Sequence, residues 1–146
     1  MIIDWRWLLA LLAFPMAAEA GGTALPEVDA RVMEVGVARH GNTLWRYVRF
    51  STESDYPCLR FEAINPEQGW RVSEQRDICD VGLQAGITLD FRNTAYTGFP
   101  VVVFSREHSA FTFEVEYLRR TAPGEKSVAC TLPVTDNGSF GTLMCR

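Results

Sequence analysis

Apolar and polar side chains alternate through most of this 146-residue chain, and that period of two is the feature that most restricts its fold. The alternation is clearest in five stretches, which are 33–37, 44–50, 59–63, 87–91 and 111–117. A period of two places one set of side chains on each face of a strand, as in antiparallel sheets with one buried face. No stretch of ten or more residues combines a 3.6-residue period with helix caps. The sequence therefore predicts an all-β fold, either a single antiparallel β-sandwich or a partly closed barrel.

Two strand segments are harder to interpret from alternation. The consecutive residues 101–104 are all apolar, which is typical of a strand covered on both faces, so we expect a central strand there. Trp45 and Tyr47 share one face of their strand with Arg49. That face fits an exposed binding platform as well as the covered side of a strand, and the sequence leaves the choice open.

The first 20 residues have the organisation of an export signal. An apolar run rich in Leu and Ala extends from Trp7 to Phe14, and Ala18 and Ala20 supply the small residues that a signal peptidase requires. The run is about half of the roughly 20 residues that cross a bilayer, which disfavours a membrane anchor. We expect 1–20 to be cleaved, leaving 21–146 as one domain without a transmembrane segment in the periplasm or outside the cell.

The charge balance argues against several classes of partner. Asp4, Arg6 and Glu19 lie in the leader, so 13 basic and 16 acidic residues remain of the 14 and 18 in the full chain, a net charge of −3. A weakly acidic domain is a poor candidate for binding nucleic acid. The chain has no glycine-rich phosphate loop, so no nucleotide cofactor is predicted.

Four cysteines in an exported domain of this size predict two disulfides, with three possible pairings. Asn137-Gly138 is a strong signal for a two-residue type I′ hairpin turn. With that turn, Cys130 and Cys145 face each other as a hydrogen-bonded pair at a Cα separation of about 5 Å, which a disulfide can span. The remaining pair is then Cys58 with Cys79, and the C-terminal hairpin is disulfide-bridged. Pro133 favours an edge position for the strand 128–134.

Few residues have a pattern that indicates catalysis. His40 and His108 lie in predicted turns without metal-ligand spacing, so no metal site is predicted. Glu114 and Glu116 share one strand face about 7 Å apart, a separation found in glycosidases but also in any solvated acidic strand. No nucleophile stands in a recognisable context. We therefore expect a protein that is not an enzyme, with a carbohydrate hydrolase as the third choice of function.

The loops offer better candidates for binding. Residues 51–57 and 93–99 both combine polar groups with an aromatic ring, and tyrosine on a rigid loop gives contact area at little entropic cost. The tyrosines could equally fold back against the end of the sandwich. The candidate partner-binding residues are Glu53, Asp55, Tyr56, Tyr96 and His108.

These features predict a non-catalytic periplasmic protein-binding module, most specifically an inhibitor or immunity-type protein that acts on an envelope-targeting enzyme. The alternative is a component of envelope assembly or of a surface structure, which would pair through a sheet edge. An inhibitor forms a discrete one-to-one complex, whereas an assembly subunit self-associates or joins a large complex.

Overall fold

The computed structural model describes residues 28–146, so the predicted leader lies outside the described residues. Eleven strands occupy most of this part of the chain, joined by turns and three short 3₁₀ segments. The strands are β1 (Val32–His40), β2 (Thr43–Phe50), β3 (Leu59–Asn65), β4 (Arg71–Ile78), β5 (Asp80–Gly82), β6 (Thr88–Asp90), β7 (Thr94–Gly98), β8 (Val102–Ser105), β9 (Ala110–Arg119), β10 (Lys126–Pro133) and β11 (Met144–Cys145). No helix within 28–146 is long and apolar enough to cross a membrane.

The strands form two antiparallel sheets and a small ribbon. The first sheet has the order β1-β2-β3-β4. The second has the order β11-β10-β9, with both β7 and β8 pairing along the other side of β9. β5 and β6 pair with each other as the ribbon. This arrangement confirms the predicted all-β antiparallel fold.

The core lies between the inner faces of the two sheets. Trp45 on β2 is fully buried, and its ring meets Phe111 of the second sheet edge-on at 6.4 Å. Tyr47 lies on the same inner face and contacts Phe111 at 6.5 Å, so neither aromatic residue forms an exposed platform. Phe61 on β3 packs against Phe111 and Phe113 at 4.7 and 5.5 Å. Truncating a buried aromatic ring of this kind typically costs about 3–5 kcal/mol, so the inter-sheet aromatic cluster is a main source of stability.

Both predicted disulfides are present, Cys58–Cys79 and Cys130–Cys145. Cys130 lies opposite Cys145 in the β10–β11 register, as the hairpin argument required. The predicted hydrogen-bonded pair is wrong, because Ala129 and Arg146 exchange both backbone hydrogen bonds, at 3.1 and 2.9 Å. Pairs alternate along an antiparallel ladder, so the cysteines occupy the closer, non-hydrogen-bonded type of pair, consistent with their Cα separation of 4.1 Å.

The turn of this hairpin also differs from the prediction. The Gly138 amide donates to the Thr135 carbonyl at 3.0 Å, and Gly138 has a φ of +85° while Asn137 has no positive φ. A type I′ turn needs positive φ at both central residues, so the turn is not of that type. Val134 bridges to Phe140, a register one residue away from that of the cysteine pair. Between this bridge and the cysteine pair, the segment after the turn has one residue more than β10. Cys130 and Cys145 therefore still face each other, although the type of turn was wrongly predicted.

Two predictions about strand position are also wrong. Residues 128–134 do not form an edge strand, because β11 pairs with β10 at Cys130 and Thr131. The apolar run 101–104 is not a covered central strand, since β8 pairs only with β9 and leaves Val101 and Val103 about half exposed. Consecutive apolar residues do not show which face a strand buries, and here only Val102 and Phe104 pack against the core.

Candidate functional site

Two predicted binding loops meet at one end of the sandwich. Residues 51–57 connect β2 to β3, and residues 93–99 contain β7. They line two adjoining cavities of about 350 and 320 Å³, and Thr52, Glu53 and Tyr96 line both. We call this surface, formed by 51–57 and 93–99, the loop end. The structure thus brings together residues that lie about 40 positions apart in the sequence.

The loop 51–57 is held by its own hydrogen bonds and by the first disulfide. The Ser51 carbonyl accepts from the Ser54 amide at 3.1 Å and from the Ser54 hydroxyl at 2.6 Å. The Tyr56 amide donates to Ser54 Oγ at 3.2 Å. Cys58 follows the loop directly and is bonded to Cys79. The backbone of this loop therefore has a defined conformation before any partner arrives.

Tyr56 folds back against the first sheet. Its ring meets Phe50 edge-on at 5.1 Å, and its hydroxyl donates to the Asp77 carboxylate. The Arg60 guanidinium lies 5.8 Å from the ring centre and donates to Asp77 at 2.8 and 3.1 Å. The cluster supports the loop internally and leaves Tyr56 only partly exposed, and a direct contact of Tyr56 with a partner stays a prediction.

The ionisation of this cluster follows from its contacts. Burial raises the pKa of Tyr56, and the hydrogen bond to Asp77 raises it further. Burial alone would also raise the pKa of Asp77, but hydrogen bonds from Arg60 and Tyr56 outweigh it and hold the pKa below its ordinary value. A protonated tyrosine beside an ionised aspartate is therefore the arrangement that the cluster favours.

Asp55 remains at the surface. Its side chain is 89% exposed and accepts from Arg31 at 3.2 Å, while Arg31 is also paired with Asp29 at 2.8 Å. The hydrogen bonds from Arg31 lower the pKa of Asp29 to about 2. Because the pair with Arg31 is exposed, it restrains Asp55 weakly and leaves the carboxylate available to a partner.

Tyr96 is the exposed aromatic residue of the loop end, with 46% of its surface accessible. The register of β7 shifts between Thr94 and Tyr96, a bulge that directs the tyrosine along the outer face of the second sheet. Its ring lies over Gly98, where a Cβ atom would overlap the phenol group. Buried Thr94 and Thr97 share a hydrogen bond of 2.7 Å behind it. Tyr96 therefore has a defined resting position with one face available for contact.

Two arginines at the loop end were not predicted from the sequence. Arg92 and Arg120 are exposed and line the 320 Å³ cavity together with Glu53 and Asp55. Neither forms an ion pair within the described part of the chain. Nothing in the local sequence distinguishes them from the other arginines, because their proximity depends on the pairing of β7 with β9.

His108 does not belong to this surface. It lies in the turn before β9, whereas Tyr96 pairs with Leu118 near the far end of that strand. Ten residues at about 3.3 Å each separate the two by roughly 30 Å. The structure therefore brings Glu53, Asp55 and Tyr96 together and leaves His108 at the opposite end.

That opposite end contains a serine, a histidine and an aspartate in contact. His40 Nε2 lies 3.1 Å from both Ser109 Oγ and Asp136 Oδ1. A catalytic triad needs the serine and the aspartate on different ring nitrogens, so that one nitrogen takes the serine proton while the other is held by the carboxylate. Here both contacts use the same nitrogen, and the arrangement joins two turns without activating the serine. We call the cluster of His40, Ser109 and Asp136 the closed end.

Of the remaining candidates for chemistry, Glu114 lines a cavity of about 680 Å³ together with Val101, Ala129 and Met144, whereas Glu116 does not. Glu114 and Glu116 are partly exposed on the outer face of β9, opposite Ala129 and Ser127. Within residues 28–146 no group of three or more His, Cys, Asp or Glu side chains is placed to hold a metal ion.

No protein-family model, curated protein or solved structure matches the chain. Arguments about its function therefore depend on the geometry described above.

Proposed function

We propose that this chain is a non-catalytic protein-binding module of the periplasm or the extracellular space, and specifically an inhibitor or immunity-type protein that blocks an envelope-targeting enzyme. The observation that carries the proposal is the meeting of two loops at one end, with Glu53 and Tyr96 lining both cavities there. The other surfaces that the sequence singled out are not joined in this way.

The rigidity of the loop end supports binding. Residues 51–57 are restrained by the Cys58–Cys79 disulfide and by the cluster around Tyr56. Binding a partner to a surface that is already ordered loses less conformational entropy than ordering a loop on contact. Tyr96 adds a large side chain with few rotatable bonds, the kind of group that often anchors protein interfaces.

The charges of the loop end suit a mixed polar contact. Glu53 and Asp55 project acidic groups, and Arg92 and Arg120 line the same cavity. Such a pattern gives specificity, because a partner must present groups of the opposite sign in matching places. A partner surface that carries both basic and acidic groups fits this pattern.

The two disulfides agree with an oxidising compartment, which the predicted leader also indicates. The assembly alternative cannot use 128–134 as its sheet edge, since these residues have strands on both sides, but β1 is an edge strand of the first sheet. A hydrolase using Glu114 and Glu116 remains the third choice. Glu114 lines a cavity of about 680 Å³ on the second sheet, but Glu116 is not part of that lining, so the two glutamates do not face each other across it.

The proposal is tested by capture from an envelope extract of the source cells, using the tagged protein with both disulfides formed. We expect one partner in a discrete one-to-one complex, and we expect Glu53→Lys and Tyr96→Ala to weaken it. The matched control is His108→Ala, which changes an exposed side chain at the opposite end and should leave binding unchanged. Recovery of structural envelope proteins only, in large assemblies that tolerate the loop-end changes, would contradict the proposal.

A further inference from the structure

The edges of the two sheets differ in how they are protected. Edge strands are normally short or charged, because an exposed ladder of unpaired backbone groups invites pairing with another chain. In the second sheet, β11 has two residues, β8 has four and β7 has five. In the first sheet, β4 carries Arg71, Glu74, Arg76 and Asp77. β1 is less protected, since it has nine residues and no proline, and its register is irregular only at Met33, near its first residue.

The outward side chains of β1 are apolar. Met33, Val35 and Val37 are 66%, 50% and 58% exposed on the outer face of the sheet. Glu34 points to the other face, where it accepts from Tyr47 at 2.5 Å and pairs with Arg49 at 2.6 Å. Between Met33 and Val37, therefore, no charged side chain interrupts the outer face of this edge.

The backbone of β1 is also available for pairing. Only Gly41 and Asn42 separate β1 from β2, and such a two-residue turn makes His40 and Thr43 a hydrogen-bonded pair. Bonding alternates along the ladder, so Gly36 and Ala38 direct their N–H and C=O groups towards β2. Val35 and Val37 direct theirs away from the sheet.

We propose that β1 pairs antiparallel with β1 of a second copy of this chain, centred on Val35. In that register Val35 faces Val35 of the partner subunit, and Met33 faces Val37 of the partner subunit. All three apolar side chains then meet apolar neighbours on one face of a continuous sheet. A register displaced by one residue in each subunit would instead set Met33 against Arg39 of the partner subunit and keep only two apolar pairs.

The order of the apolar residues favours a second copy over an unrelated strand. When two copies of β1 are related by a two-fold rotation about Val35, each apolar side chain faces an apolar side chain of the other copy. Such an interface is isologous and closes as a dimer. It joins the two first sheets edge to edge. The dimer goes beyond the proposed function, since Val35 and Val37 do not line the loop-end cavities; Met33 is shared, because it lines one of them with Glu53 and Tyr96.

Sedimentation equilibrium of the oxidised protein without the predicted leader, residues 21–146, tests the proposal. We expect a reversible monomer–dimer equilibrium whose dissociation constant rises about tenfold or more in Val35→Lys, because two like charges would then face each other in the pair. The matched control is Val103→Lys, which changes another half-exposed valine on β8 and should leave the constant unchanged. Circular dichroism checks that both variants are folded.

The register is tested by cross-linking. Val35→Cys should give a disulfide-linked dimer on mild oxidation, and Val103→Cys should not. A wild-type protein that stays monomeric, or a dimer that both lysine variants affect equally, would overturn the proposal. A monomer in which Val35→Lys weakens binding of a different protein would also overturn it, in favour of strand addition by that protein. The two proposals fail separately, because the test with Glu53 and Tyr96 counts partner molecules bound per chain, whether the chain is a monomer or a dimer.

Discussion

The two ends of the sandwich use polar side chains in opposite ways. At the closed end, His40 joins Ser109 and Asp136, and its ring packs 5.9 Å from Phe104, so its polar contacts are made within the molecule. At the loop end, the internal contacts are concentrated on Tyr56 and Asp77, while Glu53, Asp55 and Tyr96 remain exposed around two cavities. At the closed end the polar contacts connect turns to each other, whereas at the loop end they hold the loop 51–57 against the first sheet. Both ends carry an exposed carboxylate, Asp55 at the loop end and Asp136 at the closed end, so what distinguishes the loop end is the pair of cavities lined by Glu53 and Tyr96.

Removing the disulfide beneath the loop end should have the largest effect. Replacing Cys58 and Cys79 by serine should lower the free energy of unfolding by about 2–4 kcal/mol, because the unfolded chain gains freedom. The matched change replaces Cys130 and Cys145, whose sequence separation is 15, compared with 21 for Cys58 and Cys79. Urea unfolding should show similar losses for both pairs. Partner binding should fall further for the first pair, and equal binding by the two variants would contradict the role given to the loop end.

A smaller effect is expected from the hydroxyl group of Tyr56. Tyr56→Phe keeps the ring against Phe50 but removes the hydrogen bond to the Asp77 carboxylate. A hydrogen bond to a charged group contributes about 1.5–3 kcal/mol, and the partial exposure of Asp77 should reduce the loss to about 1 kcal/mol. Urea unfolding of the wild type and of Tyr56→Phe measures this difference in the free energy of unfolding. If stability were unchanged while binding fell sharply, Tyr56 would be a direct contact and not a support.

Acidification should weaken the same cluster. The pKa of Asp77 is lower in the folded protein than its ordinary value of 3.8, so the carboxylate stabilises the fold above that value. This contribution is lost as the pH falls below 3.8 and through the lower pKa of the folded state. Unfolding measured at neutral and at acidic pH should therefore show a steeper loss for the wild type than for Asp77→Asn. Parallel pH profiles would show that Asp77 makes no such contribution.

The smallest effect on binding is expected from the closed end. His40→Ala removes the contacts of Nε2 with Ser109 and Asp136 and should cost about 1 kcal/mol of stability, since the hydrogen-bonding capacity of one ring nitrogen and part of a packing contact are lost. Partner binding should not change beyond this loss of folded protein. Differential scanning calorimetry and a binding titration of the same preparation separate the two quantities.

The sequence predicted the features that depend on neighbouring residues better than the features that depend on tertiary contacts. Alternation in 44–50 and 111–117 is local, and it predicted strands whose inner residues Trp45 and Phe111 meet in the core. The cysteine pairs were predicted correctly, although the Asn137-Gly138 turn that supported the argument has another geometry. The extra residue between Phe140 and Cys145 compensated for the different turn.

Features that depend on tertiary contacts could not be predicted. Whether Tyr56 points outward is decided by Phe50, Arg60 and Asp77, which come together only when β3 pairs with β4. The separation of His108 from Tyr96 depends on the direction of β9, which residue type does not show. Likewise, the run 101–104 was apolar enough for a central strand, and its position was decided by the absence of a further strand beyond β8 in the described sheet.

Site-specific photo-cross-linking tests the central claim, that the loop end is the surface that binds a protein partner. A photoreactive residue is placed at Glu53 in one variant and at His108 in the other, both exposed positions at opposite ends of the molecule. The two proteins are irradiated in the compartment where the protein resides, and adducts are identified by mass. We predict a single discrete adduct with one partner from position 53 and none from position 108. An adduct from position 108 with no adduct from position 53 would contradict the account.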